Sequence, residues 1–236
     1  MRIARVAVIM TIVIAAAQPA FAQQTLNFSL GYFTVRGEDA RAEGDILNRT
    51  RADGRFALDF DVADFNSISV GGEWLVPLGN YLEAGAGLSF SRRTVPSVYE
   101  QLVDTDGSEI EQDLRLRLMP IAFTIRVLPL GQSTGVQPYF GAGLGVINWR
   151  YSESGDFVDP RTLEVFRDQF ATSGNQTGPV ALGGIRFAGD TVSAGFEIRY
   201  QSAVADLTER FAGFDNAKLD LGGWTYSFTT GIRFGR

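Results

Sequence analysis

Seven charged residues fall on the polar faces of alternating segments: Glu73, Glu83, Arg126, Arg186, Glu197, Arg199 and Arg233. Carboxylates and guanidinium groups held close together can pair, because the planar guanidinium fork matches a carboxylate bidentately. They can also line a wet path and select ions by charge. Acid–base catalysis is a third use, and Glu73 and Glu83, which flank one tight turn, are the candidate acid pair. Partnership with the arginines is the better reading of both. The rest of the usual catalytic equipment is missing, since the chain has no histidine and no cysteine. Histidine, with a pKa of about 6.5, is the common general base at neutral pH. Ser-His and Cys-His nucleophiles, imidazole and thiolate zinc sites, and disulfides are therefore excluded. No catalytic residue, cofactor or metal is expected. Asp104, Asp106, Glu109 and Glu111 form an acidic run around Gly107, but without the ligand spacing of a calcium loop. That run, and Glu153, Asp156 and Asp159, read as solvated loops. The glycines from Gly141 to Gly145 keep strand parity and precede no helix, so they are not a phosphate loop.

Strands must position these charges. From Trp224 to Phe234 the even positions are Trp224, Tyr226, Phe228, Thr230, Ile232 and Phe234, and the odd ones Thr225, Ser227, Thr229, Gly231 and Arg233. Period two of this strength marks a strand between two unlike environments. Seven further segments show it, at 26–32, 67–76, 82–91, 121–127, 140–146, 184–187 and 192–201. The fold class expected is all-β, a single antiparallel up-and-down barrel of eight strands. In 56–62, Phe56, Leu58, Phe60 and Val62 alternate with Asp59 and Asp61. This reads as an extension of the second strand, with a ten-stranded barrel as the alternative.

The links alternate in length. Pro77-Leu78-Gly79-Asn80, 128–136 and 188–190 are short, whereas 33–64, 92–113, 151–178 and 202–222 are long and charged. Short turns on one rim and long loops on the other are the layout of a transmembrane barrel. Residues 1–22 read as an export signal: Arg2 and Arg5, an apolar stretch over 6–17, then Ala20-Phe21-Ala22 before Gln23. The barrel domain is then 23–236. Without the two signal arginines, 19 basic residues face 27 acidic ones, a net charge of −8 that argues against nucleic acid as a partner.

The polar faces also carry Gly31, Gly71, Gly85, Gly87, Gly195 and Gly231. Glycine suits a narrow lumen filled by large side chains, and an arginine facing lipid at the midplane would cost about 2–4 kcal/mol. The apolar face is therefore assigned outward to lipid, and the seven charges inward as a lumen network. Trp74, Tyr81, Trp149, Tyr200, Trp224 and Phe234, with Tyr32, Phe90 and Tyr151, fall near strand ends and read as interfacial aromatics.

The stretches Glu73–Leu88 and Val136–Val146, and the closing aromatic strand, resemble the eight-stranded outer-membrane barrels of the OmpA and OmpX type. They resemble more closely the broad set of bacterial outer-membrane β-barrel domain proteins. The Pro138-Tyr139-Phe140-Gly141-Ala142-Gly143 strand after a short turn carries much of this likeness. The resemblance implies residence in a Gram-negative outer membrane, contact with its lipid (lipopolysaccharide among the candidates), and recognition of the C-terminal strand by the barrel-assembly machinery. Members of this set often end on an aromatic residue, whereas Phe234 is followed here by Gly235 and Arg236. The function expected is structural or surface-interacting and non-enzymatic, through long loops with an unidentified partner. A narrow pore for small solutes and a soluble periplasmic ligand-binding barrel are the alternatives.

Overall fold

A computed structural model describes residues 23–207 and 216–235. The proposed export signal lies outside them. Eleven strands follow in chain order: β1 (Gln24–Val35), β2 (Leu58–Asp59), β3 (Ser67–Pro77), β4 (Leu82–Val103), β5 (Glu109–Val127), β6 (Gly135–Val158), β7 (Val165–Ala188), β8 (Val192–Gln201), β9 (Val204–Asp206), β10 (Lys218–Asp220) and β11 (Gly223–Phe234). One short helix, α1 (Ile46–Arg51), lies between β1 and β2.

Eight of the strands close an antiparallel ring, in the order β1-β3-β4-β5-β6-β7-β8-β11. The last strand returns to the first, from Gln24 opposite Phe234 to Val35 opposite Gly223. Closure leaves the ring no free edge, which removes the usual hazard of a β-sheet. Both ends of the ring's chain, with the short links 78–81, 128–134 and 189–191, lie at one rim.

The strands differ in length, and this corrects the expected loops. β1, β3, β8 and β11 have 10–12 residues, whereas β4, β5, β6 and β7 have 19–24. The connections 92–113 and 151–178 are therefore strand for most of their length. They form two tall hairpins, paired to each other from Gln112 opposite Gly155 downward. Above the ring, β4 to β7 stand as a four-stranded wall on one side only.

The remaining connections fold against the concave face of that wall as a cap. Segment 56–62 neither extends a barrel strand nor forms an extra hairpin. Its β2 pairs with β4, Leu58 opposite Tyr99 and Asp59 opposite Val98. At that height β4 has no β3 neighbour, so β2 covers an edge that would otherwise be open. α1 is N-capped by Asp45, whose carboxylate accepts the Leu47 N–H at 3.1 Å. The β9–β10 hairpin completes the cap. Ile46, Leu47, Phe60, Phe65 and Leu219 from the cap pack on Leu114, Leu116, Leu118, Ile147 and Trp149 from the wall, a dry hydrophobic core.

Candidate functional site

Within the ring the polarity of an ordinary globule is inverted. Phe28, Leu30, Phe123, Leu144, Phe187 and Phe228 point outward and are exposed, while Asn27, Ser69, Glu73, Thr124, Arg126, Glu197 and Thr229 are buried inside. The strand pattern places the charges at matched heights. Glu73 lies on β3, Arg126 on β5, and Glu197 and Arg199 on β8. They form a closed quartet. Arg126 Nη2 contacts both Glu73 Oε2 and, at 2.9 Å, Glu197 Oε2. Arg199 Nη2 reaches Glu73 Oε2 at 3.1 Å and Glu197 Oε1 at 2.8 Å. Each acid thus serves two arginines and each arginine two acids.

A second deck lies towards the short-turn rim. Arg186 donates from Nη1 and Nη2 to the two Glu83 oxygens at 3.3 and 3.1 Å, and from Nε to Gln137 Oε1 at 2.9 Å. Tyr139 joins the decks. Its hydroxyl donates to Glu197 Oε2 at 3.1 Å, and its ring lies between the Arg126 and Arg186 guanidinium carbons at 4.8 and 5.9 Å. Two glycines make room. A Cβ on Gly184 would stand 2.6 Å from the Tyr139 hydroxyl, and one on Gly85 2.7 Å from Glu73 Oε1. Three acids and three arginines leave the two decks electrically neutral. Glu73 and Glu83 do not face each other as an acid pair; each belongs to a different deck.

Above the quartet a polar cavity of about 40 Å³ is lined by residues that include Asn27, Ser29, Ser69, Arg199 and Ser227. A water needs about 10–15 Å³ on the same measure, so this space fits a few waters and no solute. Among the described residues, the hydrophobic core of wall and cap lies above it.

The structure corrects two of the expected assignments. Arg233 forms no ion pair with the decks among the described residues: it sits at the short-turn rim and donates from Nη1 to the Gly189 carbonyl at 2.6 Å. Trp149 is not interfacial, and neither is Tyr151; they are 3% and 0% exposed and face the wall–cap core. Trp74, Tyr81, Trp224 and Phe234 are exposed on the outside. Tyr200 is half-buried against Trp224, with ring centroids 4.8 Å apart. Among the described residues the acidic runs do not gather three carboxylates at one point. Asp106 accepts from the Ser108 N–H and hydroxyl, and Asp159 from the Arg161 and Thr162 N–H groups. These bonds hold both carboxyls below the usual range. Glu153 instead turns inward and accepts the Tyr151 hydroxyl at 2.8 Å.

A buried polar network at the foot of the cap was not anticipated. Arg41 donates to both Asp45 oxygens, at 2.6 and 3.0 Å, and to the Asp220 carbonyl at 2.8 Å. The Asp220 carboxylate accepts from Arg36 Nη1 at 2.9 Å and from the Ala42 and Gly222 N–H groups. Arg36 also donates to the Tyr200 hydroxyl at 2.7 Å. The cap is thereby bolted to the ring by fully engaged groups.

No protein-family model matches the chain, and no curated protein does. Solved structures of similar fold include Ail of Yersinia pestis, at 12% identity and a TM-score of 0.48 over 90% of this chain and 99% of that one. Neisserial surface protein A is similar at 10% identity and a TM-score of 0.47, over 90% and 97%. The N-terminal β-barrel domain of Pseudomonas aeruginosa OprF is similar at 13% identity and a TM-score of 0.40, over 89% and 97%.

Proposed function

We propose that the protein is an exported, integral outer-membrane barrel of residues 23–236, with a sealed lumen and no catalytic role, whose wall and cap form a surface for contact outside the cell. The observation that carries this reading is the reversal of polarity along single strands. On β5 the inward residues are Leu114, Leu116 and Leu118, then Thr124 and Arg126. The outward ones are Asp113, Arg115 and Arg117, then Ile121, Phe123 and Ile125. One side of the strand stays inside throughout, yet its chemistry inverts near Met119-Pro120. That inversion fits a barrel that passes from lipid into water. The four short strands have the length needed to cross a bilayer at a tilt, about 9–11 residues. A soluble ligand-binding barrel would have no use for so wide an apolar exterior.

Two seals support a closed lumen: the charged decks, and the dry core above them. The test is conductance of the purified, refolded chain in a planar bilayer, with β-structure confirmed beforehand. Electrical silence is the expected result. Discrete, reproducible openings that change in Glu197→Gln would overturn the sealed reading and make the decks a selectivity filter.

A further inference from the structure

We infer that Arg92, Arg117 and Arg150 form a binding site for the phosphate groups of an anionic membrane lipid, on the outside of the wall where it leaves the bilayer. This rests on the barrel reading proposed above. The three residues lie in one row across adjacent strands: Arg92 is directly opposite Arg117, and Arg117 directly opposite Arg150. All three point outward. Arg92 and Arg150 are exposed and Arg117 is half-buried. With strands about 4.8 Å apart, the row is about 10 Å long.

Like charges directly across a sheet repel, and arginine cannot escape by losing its proton. The arginines of the lumen decks and of the network at the foot of the cap are arranged otherwise. Arg36, Arg41, Arg126, Arg186 and Arg199 are each paired with a carboxylate. Among the described residues, no carboxylate pairs with Arg92, Arg117 or Arg150. Arg117 donates only to Asn148 Oδ1, at 3.2 Å, and its Nε is buried with no partner. Arg115 adds a fourth positive charge on the same face, its Nε donating to Thr94 Oγ1 at 3.0 Å. Asp113 lies further along β5, beyond Arg115. The row is therefore a concentration of positive charge that lacks its counter-charge.

Its height says where the counter-charge comes from. Below on the same outward faces lie Phe90 on β4, Met119 and then Ile121 on β5, and Asn148 and then Val146 on β6; Phe90, Ile121 and Val146 are exposed and apolar. The arginines are the first charged groups above that band, at the level of lipid headgroups. Their long apolar stems can run along the band while the guanidinium groups reach phosphate oxygens. A phosphate between two neighbouring arginines would relieve the repulsion and accept bonds from both.

The experiment uses the purified chain in vesicles of phosphatidylcholine mixed with phosphatidylglycerol, and reads the ratio of the two lipids that copurify after mild extraction. Phosphatidylglycerol should be enriched over the bulk, about fivefold for each arginine engaged. The R92Q/R117Q/R150Q variant should return to the bulk ratio. R150Q alone, which removes an exposed side chain with no bond to lose, should give an intermediate enrichment and guards against a folding defect in the triple variant. Equal ratios for the native chain and the variants overturn the site while leaving the barrel reading intact, provided the chain inserts into phosphatidylcholine vesicles. Failure to insert at all would defeat both. Loss of the enrichment in the presence of inorganic phosphate would mark a soluble-anion site and overturn the lipid assignment.

Discussion

The two halves of β5 share one pleat and obey opposite rules. Towards the short-turn rim, charge is inside and hydrocarbon outside; towards the wall, hydrocarbon is inside and charge outside. The lower half is held by neutral polar decks, the upper half by an ordinary dry core. On the barrel reading proposed above, the reason is the solvent beyond the sheet. Lipid accepts an apolar exterior and leaves the narrow lumen to polar groups that pair with one another, whereas water demands the reverse. Stability in the lower half should therefore depend on charge pairing, and in the upper half on packing. Each rule can be broken separately.

The largest effect is expected at the quartet. Glu73→Ala leaves Arg126 and Arg199 each with one acid instead of two, inside the narrow ring. Removing one member of a buried pair costs about 3–5 kcal/mol. Urea unfolding of the chain in detergent should show a loss of that size, and an unchanged midpoint would refute the role given to the deck. Next comes a matched pair of outward substitutions. Phe123→Arg, at a position 62% exposed on the apolar band, should cost about 2–4 kcal/mol near the midplane. Gln169→Arg, exposed on the outer face of the wall, should change stability by less than about 0.5 kcal/mol. Equal costs at the two sites, measured in the same vesicles, would remove the lipid boundary from between them.

The reversal also explains what the sequence showed and what it hid. Period two revealed eight strands and their inward faces, because within the band the two sides differ sharply. It hid the wall. In 112–118 the alternation persists, with Leu114, Leu116 and Leu118 against Asp113, Arg115 and Arg117, but its sign is opposite to that in the band. A search for one polarity reads such a stretch as charged loop. The parity of Trp149 and Tyr151 matches Gly141, Gly143 and Gly145, so their inward placement was legible from phase alone. Tyr139 shares that parity and was open to the same reading. Arg233 has inward parity too, but parity does not report depth, and at the end of β11 its side chain meets the rim. The bolt formed by Arg41, Asp45 and Asp220 had no local signal, since it joins irregular segments from opposite ends of the chain.

The smallest effect concerns Glu153, an acid on the inner face of the wall. Glu153 is partly buried with no arginine paired to it among the described residues, and desolvation pushes its pKa up to about 7 despite the Tyr151 hydrogen bond. Tyr99 and Tyr151, the aromatic hydroxyls near it, are pushed up as well and stay neutral. In the unfolded chain the Glu153 carboxyl ionises near 4.5. Between that value and about 7 the folded cap holds a proton that the unfolded one has released, so stability falls as pH rises through this window and levels off above it. Full desolvation would give about 1.4 kcal/mol per pH unit; partial solvent access reduces the whole change to about 1–2 kcal/mol. Hydrogen exchange should show the cap opening more readily at pH 7.5 than at pH 5 (about these values, set by the window), with the lower ring unaffected. Glu153→Gln should flatten that dependence. A pH dependence that survives the substitution would assign the titration to another group, and one that spreads into the ring would join the two halves that their opposite polarities otherwise separate.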